Sequence, residues 1–345
     1  MNEDKLVFSL KILKKFINNA LDLNYEKFDI TGYELLFPII KASSHDTYVE
    51  TVSDKADTFY RRIKESMISM MEHAYLHNMK NISMKFKLNE KPVILAFDYT
   101  DEDFYGEVQG FEIHGWNGEN GVKGKFKFLT CSIISDEIPQ KIPLISIPIN
   151  IGHYKSHVVN HCLSLIKPLV GEIQLILFDR GFYDNELMYE LTKMNYPFLI
   201  FAQKKEEYKR LFEELEEKKT IFVHDYLVKK DKSEFHGQNY LAFLKQIYDP
   251  KSDKNYDWIF ATNVESVALG EMLSTYKKRW RIETSFRVQD EARIKCKSKD
   301  MKIRYFLFLF EQLLQVQWIC FYKEEAPFKE FLIKLGEVSK EWTKN

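Results

Sequence analysis

From the first residue to about residue 88, apolar side chains recur every three or four positions without strand-like alternation, a pattern that predicts helices throughout. Leu10, Leu13, Phe16 and Ile17 share one face of the first, and Thr51–His77 reads as one long helix broken near Asn78. The pattern then changes. Lys91–Thr100 is a short apolar run that closes on a carboxylate, Asp98, and Lys125–Ile134 alternates before turning fully apolar. The polar, glycine-dotted stretch 106–124 between them predicts turns joining antiparallel strands. Downstream, Tyr154–Lys167 reads as a helix, Ile173–Phe178 as a buried strand, Asn185–Met194 as a helix and Pro197–Ala202 as a strand. Residues 203–255 depart from this rhythm, with a charge run over Lys204–Lys219 that suits a solvated helix and strand-like patches after it. Asp257–Val264 then resumes a buried strand, and Ser266–Arg293 reads as a long helix.

Hairpins come first and crossovers later, which predicts an α/β fold of α+β character built on a mixed five-stranded sheet flanked by helices. The expected organisation is a helical region at 1–88, read as DNA-binding. A core follows in two parts, 89–202 and 256–322, separated by an insertion at 203–255, and 323–345 forms a tail helix. The most apolar stretch, Tyr305–Tyr322, is interrupted by Glu311, Gln312, Gln315 and Gln317, so a buried helix is expected rather than a membrane span. The first residues lack the apolar centre and cleavage site of a signal peptide. A soluble, cytoplasmic protein with no membrane partner is the expectation.

Composition narrows the classes. With 45% hydrophobic residues the chain can build a sizeable core, and only 13 Gly and 9 Pro exclude collagen-like and low-complexity classes. The formal net charge of −1 excludes a uniformly basic nucleic-acid coat, so any charge for binding DNA must be local. The four cysteines stand far apart without zinc spacing, and 106–124 matches neither phosphate-cradling glycine motif. His153 and His157 stand four apart but have no third ligand nearby, which suits a helix surface.

Asp98 and Asp179 each end an apolar strand run, a poor place for an ionised group unless it projects at the rim of the sheet. Turn formers or helix caps would give the same pair. Tyr276, Arg279 and Glu283 then fall three and four apart and share a helix face, continued by Arg287 and Asp290, while Trp280 suits core packing. Between Lys277 and Arg304 eleven Lys/Arg face four Asp/Glu, a surplus of seven in a chain of net charge −1. Lys277, Lys278, Arg279, Arg281, Arg287, Arg293 and Lys295 are therefore candidates for contacts with a phosphate backbone.

The pieces VILAFD, LILFDRGFY, IFATNV and above all YKKRWRIETSFR resemble the DDE transposases of prokaryotic insertion sequences, across about residues 91–320. That resemblance implies an RNase H-like core in which Asp98, Asp179 and Glu283 hold two divalent ions, Mg²⁺ or Mn²⁺. It also implies that Tyr276 and Arg279 of the Y-x2-R-x3-E signature contact the DNA end. The reaction implied is cleavage at transposon ends and transfer of the 3′-hydroxyl into target DNA. The partners implied are double-stranded DNA and a second copy in a homodimeric synaptic complex, in a prokaryotic nucleoid. The family's Lys seven residues after the Glu is Asp290 here, so that contact is missing or falls to Arg287, Arg293 or Lys295. Two alternatives share the chemistry or the surface: an RNase H-like structure-specific nuclease and a DNA-binding relic that no longer cuts. A haloacid dehalogenase-type phosphatase needs Asp-x-Asp, and Asp98-Tyr99-Thr100-Asp101 has the wrong spacing.

Overall fold

In the computed structural model, the described residues are all except 24–29, 116, 117, 119, 137, 139, 140, 203–205, 207, 209, 211, 212, 214–220, 229–236, 250–252, 265–268 and 343–345. Only the backbone is described for 221–228, 237, 238, 245, 246, 269, 270, 272, 280 and 281. The Lys204–Lys219 charge run therefore lies largely outside the described residues.

Four helices open the chain: α1 (Glu3–Ala20), α2 (Gly32–Ser44), α3 (Ala56–Glu65) and α4 (Ile68–Phe86). The single long helix expected over Thr51–His77 is two. It breaks at Ser66, whose hydroxyl leaves the helix to bond the Ala20 carbonyl at 2.5 Å. Asn78 is no break, because its buried amide donates to the Ala74 carbonyl inside α4 and the helix runs on to Phe86.

The strands are β1 (Val93–Phe104), β2 (His114–Gly115), β3 (Gly124–Ile133), β4 (Ile142–Ile149), β5 (Ile173–Phe178), β6 (Phe198–Phe201), β7 (Ile221–Val228), β8 (Gly237–Asp249) and β9 (Lys254–Thr262). Helices α5 (Lys155–Ile166) and α6 (Asn185–Lys193) make the crossovers around β5. Five strands form the mixed core in the order β4-β3-β1-β5-β6, with the first pairs antiparallel and β1, β5 and β6 parallel. The sheet does not stop there. β9 pairs antiparallel with β6, and β8 and β7 follow, so strands of the insertion extend the same sheet to nine in all. Gly171 lets the chain enter β5 tight against β1: a Cβ there would lie 2.7 Å from the Lys91 carbonyl oxygen.

After β9 come α7 (Leu269–Lys277), a 3-10 turn at Lys278–Trp280, α8 (Arg281–Gln289), α9 (Met301–Phe321) and α10 (Phe328–Trp342). The continuous helix expected over Ser266–Arg293 is thus split in two at the signature itself. α9 is predominantly apolar and is buried on nearly every side. Phe306 packs on Phe16 and Phe59 of the opening helices, and Phe308 stacks on Phe128 of the sheet. Two of its polar residues pair with the sheet: Tyr305 donates to the Ser146 carbonyl and Gln312 to the Ser146 hydroxyl, each at 2.7 Å. Among the described residues, no helix is long and apolar enough to cross a membrane.

Because α9 joins the sheet to the opening helices, Phe306→Ala should cost about 3–5 kcal/mol. Urea unfolding followed by far-UV circular dichroism measures it, and a loss confined to the opening helices would disprove one shared core.

Candidate active site

β1 runs six residues past Asp98, so this aspartate stands mid-strand rather than at a strand end, paired with Thr130 of β3. What ends beside it is the parallel neighbour. Phe97 registers with Phe178, the last residue of β5, so Asp98 and Asp179 follow the last paired rung on adjacent strands. Asp101 and Asp103, the near alternatives, are used elsewhere: Asp101 pairs with Lys125 at 3.2 Å, and Asp103 lines a groove described below. Asp179 also caps the 3-10 turn Arg180–Phe182, accepting from the Gly181 N–H at 2.8 Å, so the capping role is present alongside any other.

The third carboxylate arrives through an arginine. Arg279, in the 3-10 turn between α7 and α8, donates from Nη1 to Asp98 Oδ2 at 2.8 Å and from Nη2 to Glu283 Oε1 at 3.5 Å. Its side chain is 7% exposed and that of Asp98 13%, whereas Glu283 is 53% exposed at the mouth. Burial is the main cause that pushes the Asp98 carboxyl up to about 6; Arg279 opposes this, and the charges of Asp179 and Glu283 add to it. Burial also works against the charge of Arg279, but Tyr276, Asp98 and Asp179 outweigh it and hold its pKa above the ordinary value. Tyr276 is 1% exposed, its ring 5.7 Å from the Arg279 guanidinium, and burial pushes its hydroxyl up to about 12.

Three donors of one kind, carboxylate oxygens, are the chemistry that suits a hard divalent cation. Burial keeps the Asp98 carboxyl raised despite the arginine against it. The residue types therefore fit such an ion. Their spacing here is set by the guanidinium, and among the described residues no three His, Cys, Asp or Glu side chains close on one point. In this arrangement Arg279 occupies Asp98 Oδ2, and the Tyr99 N–H donates to its Oδ1.

A cavity of about 450 Å³ adjoins the pair, lined by Asp179, Arg180, Tyr276 and Arg279 with Phe201, Tyr256, Asp257 and Trp258. Phe201 and Trp258 lie 5.2 Å apart, and Arg180 lies 4.6 Å over the Phe201 ring. No local sequence pattern marks this aromatic wall. The signal was there only as an excess of aromatics at the strand ends 201 and 256–258, which reads equally as core.

The remaining basic candidates scatter. Lys278 pairs with Asp136, and Lys295 with Asp46 at 3.1 Å. Lys277 is half-buried and Arg287 exposed on α8. Arg293 and Asp290 line a separate groove, and the side chains of Trp280 and Arg281 lie outside the described ones.

Residues 151–310 match the family model for the transposase DDE domain, a span that includes Asp179 and Glu283 and begins after Asp98. The chain carries a transposase DDE domain. DNA transposition is the activity that belongs to it. The fold is similar to the cryo-EM structure of a piggyBac transposase synaptic complex with hairpin DNA. That likeness has a TM-score of 0.61 and 13% identity over 98% of this chain and 81% of that one, and the DDE domain here is thus set in a fold shared well beyond residues 151–310. None of the curated proteins matches this chain.

Because the Asp98 carboxyl rises from 3.8 to about 6 on folding, the native state holds more protons across that window. Stability from this group is therefore present below the window and lost as pH rises through about 6. Urea unfolding of the metal-free protein should show wild type losing stability relative to Asp98→Asn across it. Parallel pH profiles would show that Asp98 carries no raised carboxyl.

Proposed function

We propose that the chain cleaves DNA at the ends of a mobile element and joins the freed 3′-hydroxyl to target DNA, with Asp98, Asp179 and Glu283 as the catalytic carboxylates. The observation that carries this reading is a shared guanidinium, with Arg279 donating to both Asp98 and Glu283, and Asp179 next to Asp98 beyond the last rung that pairs β5 with β1. Two divalent ions, Mg²⁺ or Mn²⁺, would be held by these three residues. When bound, they would activate the attacking oxygen and stabilise the departing 3′ oxygen of an in-line displacement.

The residues of the chain set the stage for that chemistry. β1 and β5 fix Asp98 and Asp179 rigidly, since both follow paired strand residues, while Glu283 on α8 is exposed and free to adjust. Arg279 neutralises the cluster in the resting arrangement. Released from Asp98, its guanidinium stands beside the same site with five donors suited to a phosphate. The aromatic wall at Phe201 and Trp258 supports stacking on a base next to the reacting phosphate. No side chain has to act as nucleophile. Both steps are attacks at phosphorus by water or a DNA hydroxyl, so one site serves cleavage and joining. A homodimer would bring two DNA ends together.

Strand cleavage of a duplex carrying the sequences that flank the gene tests this reading. Wild type should cut at a defined end with Mg²⁺ or Mn²⁺. Glu283→Gln and Asp179→Asn should lose on the order of 10²–10³-fold or more while retaining DNA binding. Near-normal cutting by Glu283→Gln would sink the assignment, and binding without cutting under either metal would leave a DNA-binding relic.

A further inference from the structure

On the face of β1 that carries Asp98, alternation also places Glu102 and Phe104, and at that far end a second opening has formed. Arg304 of α9 donates to Glu102 at 3.3 Å and lies 5.0 Å over Phe126, which pairs with Glu102 across the sheet. Arg304 also donates to the carbonyls of Ser298 and Cys296 at 3.0 and 2.8 Å, and buried Glu311 accepts from the Ile294 N–H at 2.7 Å. These bonds pin the segment between α8 and α9, which has little regular structure of its own, along the edge of a groove of about 790 Å³.

The opposite wall comes from the opening helical region. The Lys295 N–H donates to the Thr47 carbonyl at 3.0 Å, Tyr48 bridges to Lys295, and the Lys297 ammonium sits 4.5 Å over the Tyr48 ring. Within the groove the cations differ in commitment. Arg304 is satisfied by Glu102, and Lys295 by Asp46. Arg293 and Lys299 have no ion pair within 4 Å among the described residues, although the carboxylates of Glu102, Glu311, Asp290 and Asp103 all act on Arg293, and Asp103 and Asp290 line the groove with it. Two cations without an ion pair on a backbone-pinned wall suit an extended polyanion better than a compact ligand, because the exposed Lys295, Lys297 and Lys299 follow one another along the same segment.

We propose that this groove holds the phosphate backbone of a DNA strand whose reacting phosphate lies at Asp98, through Arg293 and Lys299. From Asp98 to Phe104 along β1 is about 20 Å, which at the 3.4 Å rise of one strand is about six nucleotides. The inference rests on the transposase reading and adds a second, sequence-independent anchor, shared between the helical region and the core, that sets the register of the duplex.

The test uses the full-length chain and fluorescence anisotropy with two duplexes, the gene's flanking sequence and an unrelated one, across a range of salt concentrations. Arg293→Gln and Lys299→Gln should each lower the slope of log K against log salt by about one, and the double variant by about two, equally on both duplexes. Lys334→Gln on α10, away from the groove, should change neither. Lys299 is exposed, so its variant reports even if Arg293→Gln unfolds. Phosphate ethylation should then show interference about six nucleotides from the cleaved position in wild type and not in the double variant. An unchanged slope in the double variant, with wild type still binding DNA, would overturn the groove and leave the transposase reading standing. Failure of wild type to bind either duplex would overturn both.

Discussion

A single guanidinium ties the candidate site of this molecule together. Arg279 reaches across 181 residues of sequence to Asp98 and four to Glu283, and in doing so docks the turn between α7 and α8 onto the central strand. Three carboxylates gathered beside a hydrophobic sheet repel one another and lose hydration, and a buried arginine likewise loses its water. Each is tolerable because of the other. The cost of burial has not vanished, since the Asp98 carboxyl is still raised to about 6 with the arginine in place.

The scaffold around this pair is arranged so that only part of it can yield. Asp98 is held in a strand paired on both sides along its first half, and Asp179 is fixed by its own turn. Glu283 lies on α8, anchored from behind by the buried Gln315 of α9, which donates to the Ser285 carbonyl at 2.5 Å. α9 in turn is clamped between the sheet and the opening helices. The core that stabilises the fold and the helix that carries the exposed carboxylate Glu283 are thus one mechanical unit. The same α9 fixes the basic segment through Arg304 and Glu311, so site and groove share a support.

Nine strands in one sheet, rather than five with an appended domain, follow from β9. It closes the edge of β6 and then offers its own free edge to β8, so the strand-forming part of the insertion was recruited to cover what would otherwise be an open edge. The consequence at the site is the aromatic wall, since Trp258 sits on β9 and packs against Phe201 of β6.

Much of this was legible in the chain. Period-two and period-four hydrophobic patterns depend only on near neighbours, so helices α1, α5 and α6 and strands β3, β5 and β6 fall close to where the sequence places them. The two aspartates and the Tyr276–Arg279–Glu283 spacing were visible for the same reason. What the local pattern could not contain was where a strand stops being useful. Asp98 looked terminal because the apolar run ends there, yet β3 continues to pair through Phe104, and hydrogen bonding outlasts hydrophobicity. The helix break at Lys278–Trp280 and the burial of Arg279 are likewise decided by a partner far away in sequence, and the split of Thr51–His77 by the carbonyl of Ala20. Local pattern was enough to single out the candidate carboxylates and to place most of the elements that bear them. Tertiary structure alone decided their neighbours, because ion pairs and sheet edges are set by which surfaces meet and not by what precedes or follows along the chain.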